Sequence, residues 1–467
     1  MASVVKLATP GVYVQEISTF PPSVAEVETA IAAFIGYTQI ASRGGANLTN
    51  VPTKVTSYAE YQQWFGDAPP EGADTITVDV KHDANGNYVV SLAQAAGKKF
   101  SPNNLAYAVR HFFDNGGATC YIVSVGAYAD PAKDALIAGV DAIEDIDEVT
   151  LLSVPEAAAV GADYKAVALR IITQAAKLQD RFALVDPPQV TNNLDNDAKA
   201  LREATLTVKE NRYAAAYYPN VVTMYGRAFK LADIKYKLSE WNATDQKYDP
   251  AQDKTLTEGT AEYSKIVAAL QQWHLELPPS PGMAGLYARV DSTEGVWKAP
   301  ANEILLQVDR PSVPLSDRQQ AGLNIDADSG KSINAIRTFP GYGPLVWGAR
   351  TLNGNDNEWR YISVRRFFIM VEESIKKSIQ WAVFEPNTID TWVKVQAMIE
   401  NYLVLKWKQG ALAGQKQEQA FYVKVGLGTT MTAVDILEGR MNVEIGMAVA
   451  RPAEFIVLKF SQIMQQS

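Results

Sequence analysis

The most regular pattern in the sequence lies at residues 359–386, which read WRYISVRRFFIMVEESIKKSIQWAVFEP. Apolar residues recur there at spacings of three and four, which places them along one side of a helix that must be buried. The opposite side carries arginines, glutamates and lysines. Pro386 ends the predicted helix because proline lacks an N–H and disfavours a helical residue before it. The apolar side consists of Val364, Phe367, Phe368, Val371, Ile375, Ile379 and Ala382.

A second helix and two strands follow. The helix is predicted over residues 389–409, with Gly410 placed to close it in a left-handed cap. Strands are predicted at residues 421–427 and 441–449, and the second alternates apolar and polar residues, as a strand with one covered face does. Two helices this apolar need a sheet to pack on, and these strands supply it. The buried stripe of the second helix is formed by Trp392, Val395, Ile399 and Tyr402.

Both ends of the chain carry short apolar segments. Phe455, Ile456, Val457 and Leu458 are apolar without alternation, as expected of a strand covered on both faces. Such a strand this close to the end of a chain often pairs with something outside its own domain. Residues 1–22 are predicted to form an arm whose short β segment is bounded by prolines, and an isolated strand is unstable without a sheet. The alternative is an edge strand of its own domain. The β segment of this arm contains Val12, Tyr13 and Val14.

Composition indicates an ordinary soluble globular protein. The chain has 467 residues, of which 47% are hydrophobic and 20% charged, and this length allows roughly two to four domains. A net charge of −9 argues against sequence-independent nucleic-acid binding, which needs lysine and arginine on one surface. Cys120, the single cysteine, lies in an apolar run and is predicted to be a buried structural thiol.

No apolar stretch reaches the length of about 18 residues that a membrane span requires. The N-terminus also lacks the charged and then apolar pattern of a signal peptide. We therefore expect the protein to be made and kept in the cytoplasm, and to leave the cell, if it does, as part of an assembly or by lysis.

Residues 135–218 alternate between helical patterns and short apolar strands, which predicts an α/β layer with a largely parallel sheet. Two polar stretches, residues 72–99 and 230–258, are predicted to be exposed insertions. The first contains a hairpin, because Asn85-Gly86 supplies the positive φ angles of a tight turn.

A hydrolase is the sharpest alternative function, since an α/β layer can carry a catalytic triad. His82, His111 and His274 are the histidines of the chain, and none lies in a nucleophile motif. The sequence has no nucleophile elbow, phosphate loop or zinc-ligand spacing. The acidic runs at 144–148 and 326–328 lack the glycine and terminal glutamate of an EF-hand loop. We predict no catalytic, cofactor-binding or metal-binding residue.

Six motifs of the C-terminal half resemble, in the same order, those of the sheath proteins of contractile phage tails and related bacterial injection machines. The N-terminal stretch at 9–13 also resembles the start of these proteins. The six motifs are Phe339-Pro340-Gly341, VWGARTL at 346–352, WRYISVRR at 359–366, QWAVFEPN at 380–387, QGAL at 409–412 and RPAEF at 451–455.

The resemblance implies a mixed α/β protein of several domains. Its α/β layer would resemble subtilisin without being a protease, and a C-terminal domain would combine two helices with a sheet. The expected division is an N-terminal linking arm (1–22), an α+β region (23–134), the subtilisin-like domain (135–340), an inner sheath domain (341–450) and a C-terminal linking arm (451–467).

The resemblance also implies a function, in which many copies form a helical sheath around an inner tube and contract to drive the tube into a target cell. The expected partners are further copies of the chain, the inner tube protein, and baseplate and tail terminator proteins, with no nucleic acid and no direct membrane insertion. The two apolar end segments would be exchanged between neighbouring subunits. The alternative is a baseplate, tube or terminator component that binds a sheath without polymerising.

Three lysines near Gly410 are candidate contacts to acidic groups of the tube. They are Lys406, Lys408 and Lys416. A solvated helix end is the alternative explanation for these lysines.

Overall fold

The structure, a computed structural model, describes residues 23–188, 193–205 and 211–458. These residues form two compact units. We call them the sheet unit, Val27–Glu373 with residues 449–458, and the helix unit, residues 23–26 with Ser374–Ala448.

The described residues contain short and long strands in both units. In chain order they are β1 (Ala32–Thr38), β2 (Ser42–Arg43), β3 (Ala46–Asn47), β4 (Thr53–Val55), β5 (Ile76–His82), β6 (Tyr88–Gln94), β7 (Cys120–Ala127), β8 (Leu151–Ser153), β9 (Phe182–Val185), β10 (Ala214–Tyr218), β11 (Val221–Gly226), β12 (Lys235–Asn242), β13 (Lys247–Tyr248), β14 (Gln252–Thr255), β15 (His274–Leu277), β16 (Glu303–Ile304), β17 (Val308–Pro311), β18 (Asn334–Phe339), β19 (Gly343–Trp347), β20 (Phe421–Val425) and β21 (Val443–Met447).

Helices separate many of these strands. They are α1 (Tyr58–Phe65), α2 (Leu105–Asp114), α3 (Lys133–Ala142), α4 (Tyr164–Leu178), α5 (Leu194–Ala204), α6 (Tyr263–Gln271), α7 (Ser280–Thr293), α8 (Asp317–Asn324), α9 (Ile362–Ser378), α10 (Ile389–Lys408), α11 (Gln417–Ala420) and α12 (Ala433–Leu437). No helix within the described part of the chain is both long and apolar enough to cross a membrane.

A nine-stranded sheet forms the centre of the sheet unit, in the order β16-β19-β18-β10-β9-β8-β1-β7-β4. The six strands from β18 to β7 are parallel. At one side β19 pairs antiparallel with β18 and β16 pairs antiparallel with β19, and at the other side β4 pairs antiparallel with β7. This confirms the predicted α/β layer with a largely parallel sheet. The sheet also extends across the expected boundaries at 134/135 and 340/341, because β1, β8 and β19 all belong to it.

Helices cover both faces of this sheet. Phe34 and Ile35 are neighbours on β1, so their side chains point to opposite faces. The Phe34 ring contacts Phe112 of α2, with ring centroids 5.2 Å apart. Ile35 lies against α3, where a Cβ added to Gly139 would come within 2.5 Å of its Cγ2 atom. All residues of β1 are buried, which is why the strand reads as one apolar run.

The two predicted insertions form one inserted module, which consists of β5, β6, β12, β13, β14 and α6. Strand β5 of the first insertion pairs in parallel with β12 of the second, with Asp79 opposite Lys237. At the base of the module, the Glu71 N–H donates to the Ala228 carbonyl (2.7 Å), and Arg227 donates to the Glu71 carboxylate (2.7 Å). The module has its own core of Ile76, Val78, Val80, Ile234, Tyr236, Leu238, Leu256, Ile266 and Leu270.

In the helix unit, α10 packs on the hairpin of β20 and β21. The predicted helix at 389–409 and the two predicted strands are confirmed, with slightly shorter strands. Gly410 has a φ of 87°, the predicted left-handed cap.

The helix predicted to begin near Trp359 and to end before Pro386 is α9, which is shorter than predicted. The chain leaves the α-helix after Ser378 and makes a 3-10 turn over Gln380–Ala382. The apolar positions up to Ile375 are buried or partly buried, as predicted. Part of the charged side is buried as well, because Arg365 pairs with Glu372 (2.7 Å) and Arg366 pairs with Asp291 (2.5 Å). Glu372 and Lys376 on the same side are exposed.

Candidate assembly surfaces

The described part of the C-terminal arm begins with a carboxylate that is held by three side chains. Glu454 accepts hydrogen bonds from Arg350 Nε (2.9 Å) and Nη2 (2.7 Å), from Asn324 Nδ2 (2.8 Å) and from the Tyr361 hydroxyl (3.1 Å). Arg451 adds a bond to the Asn357 carbonyl (2.7 Å). The motif RPAEF is thereby fixed to the sheet unit.

Arg350 is itself held firmly. It lies three residues after β19 and is only 3% exposed. Its backbone N–H donates to Asn334 Oδ1 (2.8 Å), and Asn334 Nδ2 donates back to the Arg350 carbonyl (2.8 Å). Gly348 permits this close approach, because a Cβ there would lie 2.8 Å from Asn334 Oδ1.

The electrostatics of Glu454 reflect these contacts. Burial alone would raise the pKa of its carboxyl group, but the hydrogen bonds from Arg350 and Asn324 and the charge of Arg350 hold that pKa below its ordinary value. The carboxylate is therefore ionised at neutral pH, and the pair with Arg350 is a charge-assisted one.

The four apolar side chains after Glu454 are exposed. Phe455, Ile456, Val457 and Leu458 are 70%, 80%, 78% and 72% exposed. They form no strand with the described residues of their own chain. Residues 455–458 therefore do not form the predicted strand with the part of the chain that the structure describes, and strand exchange by these residues stays a prediction. The other proposed exchange residues, Val12, Tyr13 and Val14, lie outside the described residues.

A cleft of about 580 Å³ lies beside the base of the arm. Trp297, Trp347 and Tyr361 line it together with residues 450–455. Because the arm forms one wall of the cleft, a displacement of the arm would change its shape.

The β20–β21 hairpin is a sheet of two strands, and neither strand pairs with a third among the described residues. Val423 lies opposite Ile445 on one face, and Tyr422 lies over Gly446 on the other, where a Cβ would be 2.2 Å from the tyrosine ring. Two-stranded sheets are marginally stable, and their open edges accept further strands. The hairpin is thus a candidate acceptor for an arm.

The three candidate lysines differ in position. Lys406 is 4% exposed, and its ammonium group lies 2.5 Å from the Glu26 carboxylate. Lys408 and Lys416 are exposed. Lys406 therefore does not lie on the surface as its place near a helix end suggested, since a carboxylate from residues 23–26 covers it.

Several exposed apolar side chains on the helix unit were not predicted. Phe384 is fully exposed and has a φ of 68°, which is rare for a bulky residue. Val383, Ile389 and Leu437 are also largely exposed. Phe384 lies in the motif QWAVFEPN but was not among the residues of the predicted apolar side.

The three histidines lie on separate elements. His82 stacks on Tyr88 in the inserted module, and His274 lies in β15. His111 is buried in α2, and burial lowers its pKa to about 4. Among the described residues no group of three or more histidine, cysteine or acidic side chains could hold a metal ion.

Two buried acids at the carboxyl ends of the parallel strands were also missed. Asp186 accepts hydrogen bonds from the Ser280 N–H (2.9 Å) and hydroxyl (2.5 Å), and burial raises its pKa to about 7. Glu156 accepts from the N–H groups of Tyr37 (2.9 Å) and Leu105 (3.2 Å), and burial raises its pKa to about 8. Both acids are enclosed and bonded to the protein, so they hold loops and helix ends in place.

Comparison with known proteins identifies the family. Residues 354–463 match the family model of the phage tail sheath C-terminal domain. No curated protein sequence matches the chain.

Solved structures match over nearly the whole length. A chain of the contracted helical sheath of the anti-feeding prophage (AFP) is 32% identical, with a TM-score of 0.66, over 97% of this chain and 99% of that one. A chain of the contracted sheath complex of PVC, an extracellular contractile injection system, is 30% identical, with a TM-score of 0.66, over 97% and 98%. A chain of the AFP baseplate structure is 32% identical, with a TM-score of 0.65, over 98% and 99%. The protein therefore belongs to the family of contractile tail sheath proteins.

Proposed function

We propose that the protein is the structural subunit of a contractile sheath. Many copies polymerise into a helix around an inner tube, and the helix contracts to drive the tube through the envelope of a target cell. The observation that carries this proposal is the likeness, over almost the full chain, to subunits of two contracted sheaths. It also disfavours the alternative of a sheath-binding component that does not polymerise.

Contraction requires a helix of identical subunits that can change its packing. A head-to-tail interface that does not close generates an open helix. The work is stored in the contacts between subunits, and contraction is a collective change from one packed arrangement to another. Exchanged arms keep neighbouring subunits connected during this change.

The arms attach by adding strands to the β20–β21 hairpin of a neighbour. Phe455–Leu458 supports this role, because these four apolar side chains are exposed and pair with no strand among the described residues of their own chain. A four-residue strand adds about four backbone hydrogen bonds, each contributing about 0.5–1.5 kcal/mol net. Strand addition of this kind is a common mode of peptide recognition. Val12–Val14 of the N-terminal arm takes the corresponding position on another subunit.

The remaining partners are the inner tube, the baseplate and the tail terminator. Lys408 and Lys416 are the surface cations that contact acidic groups of the tube, and Lys406, itself buried, supports them from its pair with Glu26. The assembled sheath is part of a particle that acts outside the cell in which it is made. The relatives in the PVC sheath complex belong to such an extracellular injection system.

Electron microscopy of the purified full chain tests this function. Self-formed hollow tubes, or sheaths grown on an added inner tube, are the expected result. Small globular monomers under all assembly conditions would contradict the proposal. Stoichiometric binding to a preformed sheath without growth would instead support the non-polymerising alternative.

A further inference from the structure

We propose that the ion pair between Arg350 and Glu454 is the anchor of the C-terminal arm. The pair fixes the point at which the arm leaves the sheet unit, so that residues 455–458 reach one neighbouring subunit. When that neighbour moves, the arm transmits the movement to the sheet unit. This inference rests on the strand exchange proposed above. It assigns positioning roles to two residues that take no part in the exchanged strand itself.

One carboxylate of the arm ties together three separate parts of the sheet unit. Its donors are Asn324 at the end of α8, Arg350 in the segment after β19, and Tyr361 directly before α9. Arg350 uses two nitrogen atoms, Nε and Nη2, and this paired geometry fixes direction as well as distance. Glu454 therefore cannot shift without breaking several bonds at once.

The cation of the pair belongs to the rigid sheet. Asn334 of β18 holds the backbone of Arg350 by two reciprocal hydrogen bonds of 2.8 Å. Within the described ranges, Glu454 is the carboxylate that forms an ion pair with Arg350, whose side chain is 4% exposed. Moving Glu454 away would leave the Arg350 cation buried without its partner, which strongly destabilises the protein. The base of the arm is therefore held where Glu454 can reach Arg350.

The side chains change from bonded to exposed between Glu454 and Phe455. The Glu454 side chain is 22% exposed, whereas Phe455 is 70% exposed and each of the three residues after it is more exposed still. A tether is effective when its length and starting point match the distance to its partner, because these set the local concentration of the tethered segment. If the base of the arm were displaced, the local concentration of residues 455–458 at the correct neighbour would fall. The arm would then dissociate more readily when the neighbour moves.

The test uses three variants of the full chain. Glu454→Gln keeps the shape of the side chain but removes its charge, and Glu454→Asp keeps the charge on a shorter side chain. Glu358→Gln is the matched control, because Glu358 is exposed and its substitution removes one negative charge in the same way as Glu454→Gln. Thermal melting of unassembled protein checks that each variant is folded. If Glu454→Gln does not fold, Glu454→Asp replaces it in the distance and assembly measurements.

Two spin labels measure the position of the arm's base. Cysteines introduced at Arg318 and Ala453, both exposed, are labelled selectively because Cys120 is fully buried. Double electron–electron resonance on unassembled protein should give a narrow distance distribution for the unchanged chain and for Glu358→Gln, and a broad one for the Glu454 variants. The protein concentration needed for half-maximal assembly should rise about tenfold in Glu454→Gln and stay unchanged in the control.

Unchanged assembly in a folded Glu454→Gln variant would overturn the proposal, whether its distance distribution is narrow or broad. Assembly of a chain truncated after Glu454 would refute the strand exchange on which the proposal rests. These failures are distinguishable, because the spin labels report on the anchor in the absence of assembly.

Discussion

Arg366 on α9 donates two hydrogen bonds to the Asp291 carboxylate on α7, with distances of 2.9 Å (Nη1–Oδ1) and 2.5 Å (Nη2–Oδ2). Both side chains are buried, at 3% and 7% exposure. Arg366 also donates to the Thr29 carbonyl (2.9 Å), so one guanidinium joins three parts of the sheet unit. The stretch at residues 359–386 therefore carries a buried charge as well as an apolar side.

Replacing Arg366 by Leu should destabilise the unassembled protein by about 3–5 kcal/mol, because it leaves the Asp291 carboxylate buried without its cation. Urea denaturation measures the free energy of unfolding. Arg318→Leu, at an exposed position on α8, is the control and should change that free energy by less than about 0.5 kcal/mol. A loss below about 1 kcal/mol for Arg366→Leu would show that the pair is dispensable.

The pKa of Asp186 is raised by burial from 3.8 to about 7, which makes part of the stability depend on pH. An acid whose pKa is higher in the folded state stabilises the fold fully below its unfolded pKa, and that stability is lost as pH rises through the folded pKa. We therefore expect the contribution of Asp186 to the free energy of unfolding to fall between about pH 4 and pH 7. Asp186→Asn should remove this contribution and leave the pH dependence that Glu156 causes, since burial raises the pKa of Glu156 as well.

The asparagine variant should fold, because the Ser280 hydroxyl can accept a bond from the new amide while the Ser280 N–H still donates to its oxygen. Glu156→Gln is a contrasting variant, since both Glu156 oxygens accept from backbone N–H groups and an amide NH₂ cannot. Equal pH profiles for the unchanged chain and Asp186→Asn would contradict this account of Asp186.

Gly446 makes room for the Tyr422 ring on the exposed face of the hairpin. Gly446→Ala should displace the ring, distort β20 and β21 and reduce assembly at least several-fold if the hairpin accepts an arm. Removal of the ring in the double variant Tyr422→Ala/Gly446→Ala should restore assembly. Sedimentation of assembled material measures both effects. A double variant that assembles no better than Gly446→Ala would show that the steric conflict is not the cause.

Local patterns predicted the elements well. The apolar spacing of α9, the alternation of β21 and the cap at Gly410 each involve residues close together in sequence, and periodicity reports on such neighbours directly. The RPAEF and VWGARTL motifs were also found, although their contact through Glu454 and Arg350 was not.

Distant partners could not be predicted from those patterns. Arg366 and Asp291 are 75 residues apart, and Lys406 and Glu26 are 380 apart. A charged residue type indicates exposure unless its partner is known, so both cations were placed on polar surfaces. The pairing of β5 with β12 was missed for the same reason, because each insertion looked complete and exposed by itself.

Val457→Pro removes one backbone N–H from the exposed segment and should prevent its addition to a sheet. Because Val457 is exposed and outside any strand of its own chain, the unassembled protein should keep its melting temperature. The concentration needed for assembly should rise about tenfold or more, given the loss of at least one ladder bond and the steric conflict of the ring. Val457→Thr retains the N–H and is the control. A lower melting temperature in Val457→Pro would place the segment in its own core.

A cryo-electron microscopy reconstruction of the assembled sheath, at a resolution that separates β-strands, tests the exchange of arms most directly. We predict that residues 455–458 of one subunit lie as a strand along β20 or β21 of a neighbouring subunit, while Glu454 stays bonded to Arg350 of its own chain. Density in which residues 455–458 fold back on their own subunit, with β20 and β21 left as a two-stranded hairpin, would contradict the account.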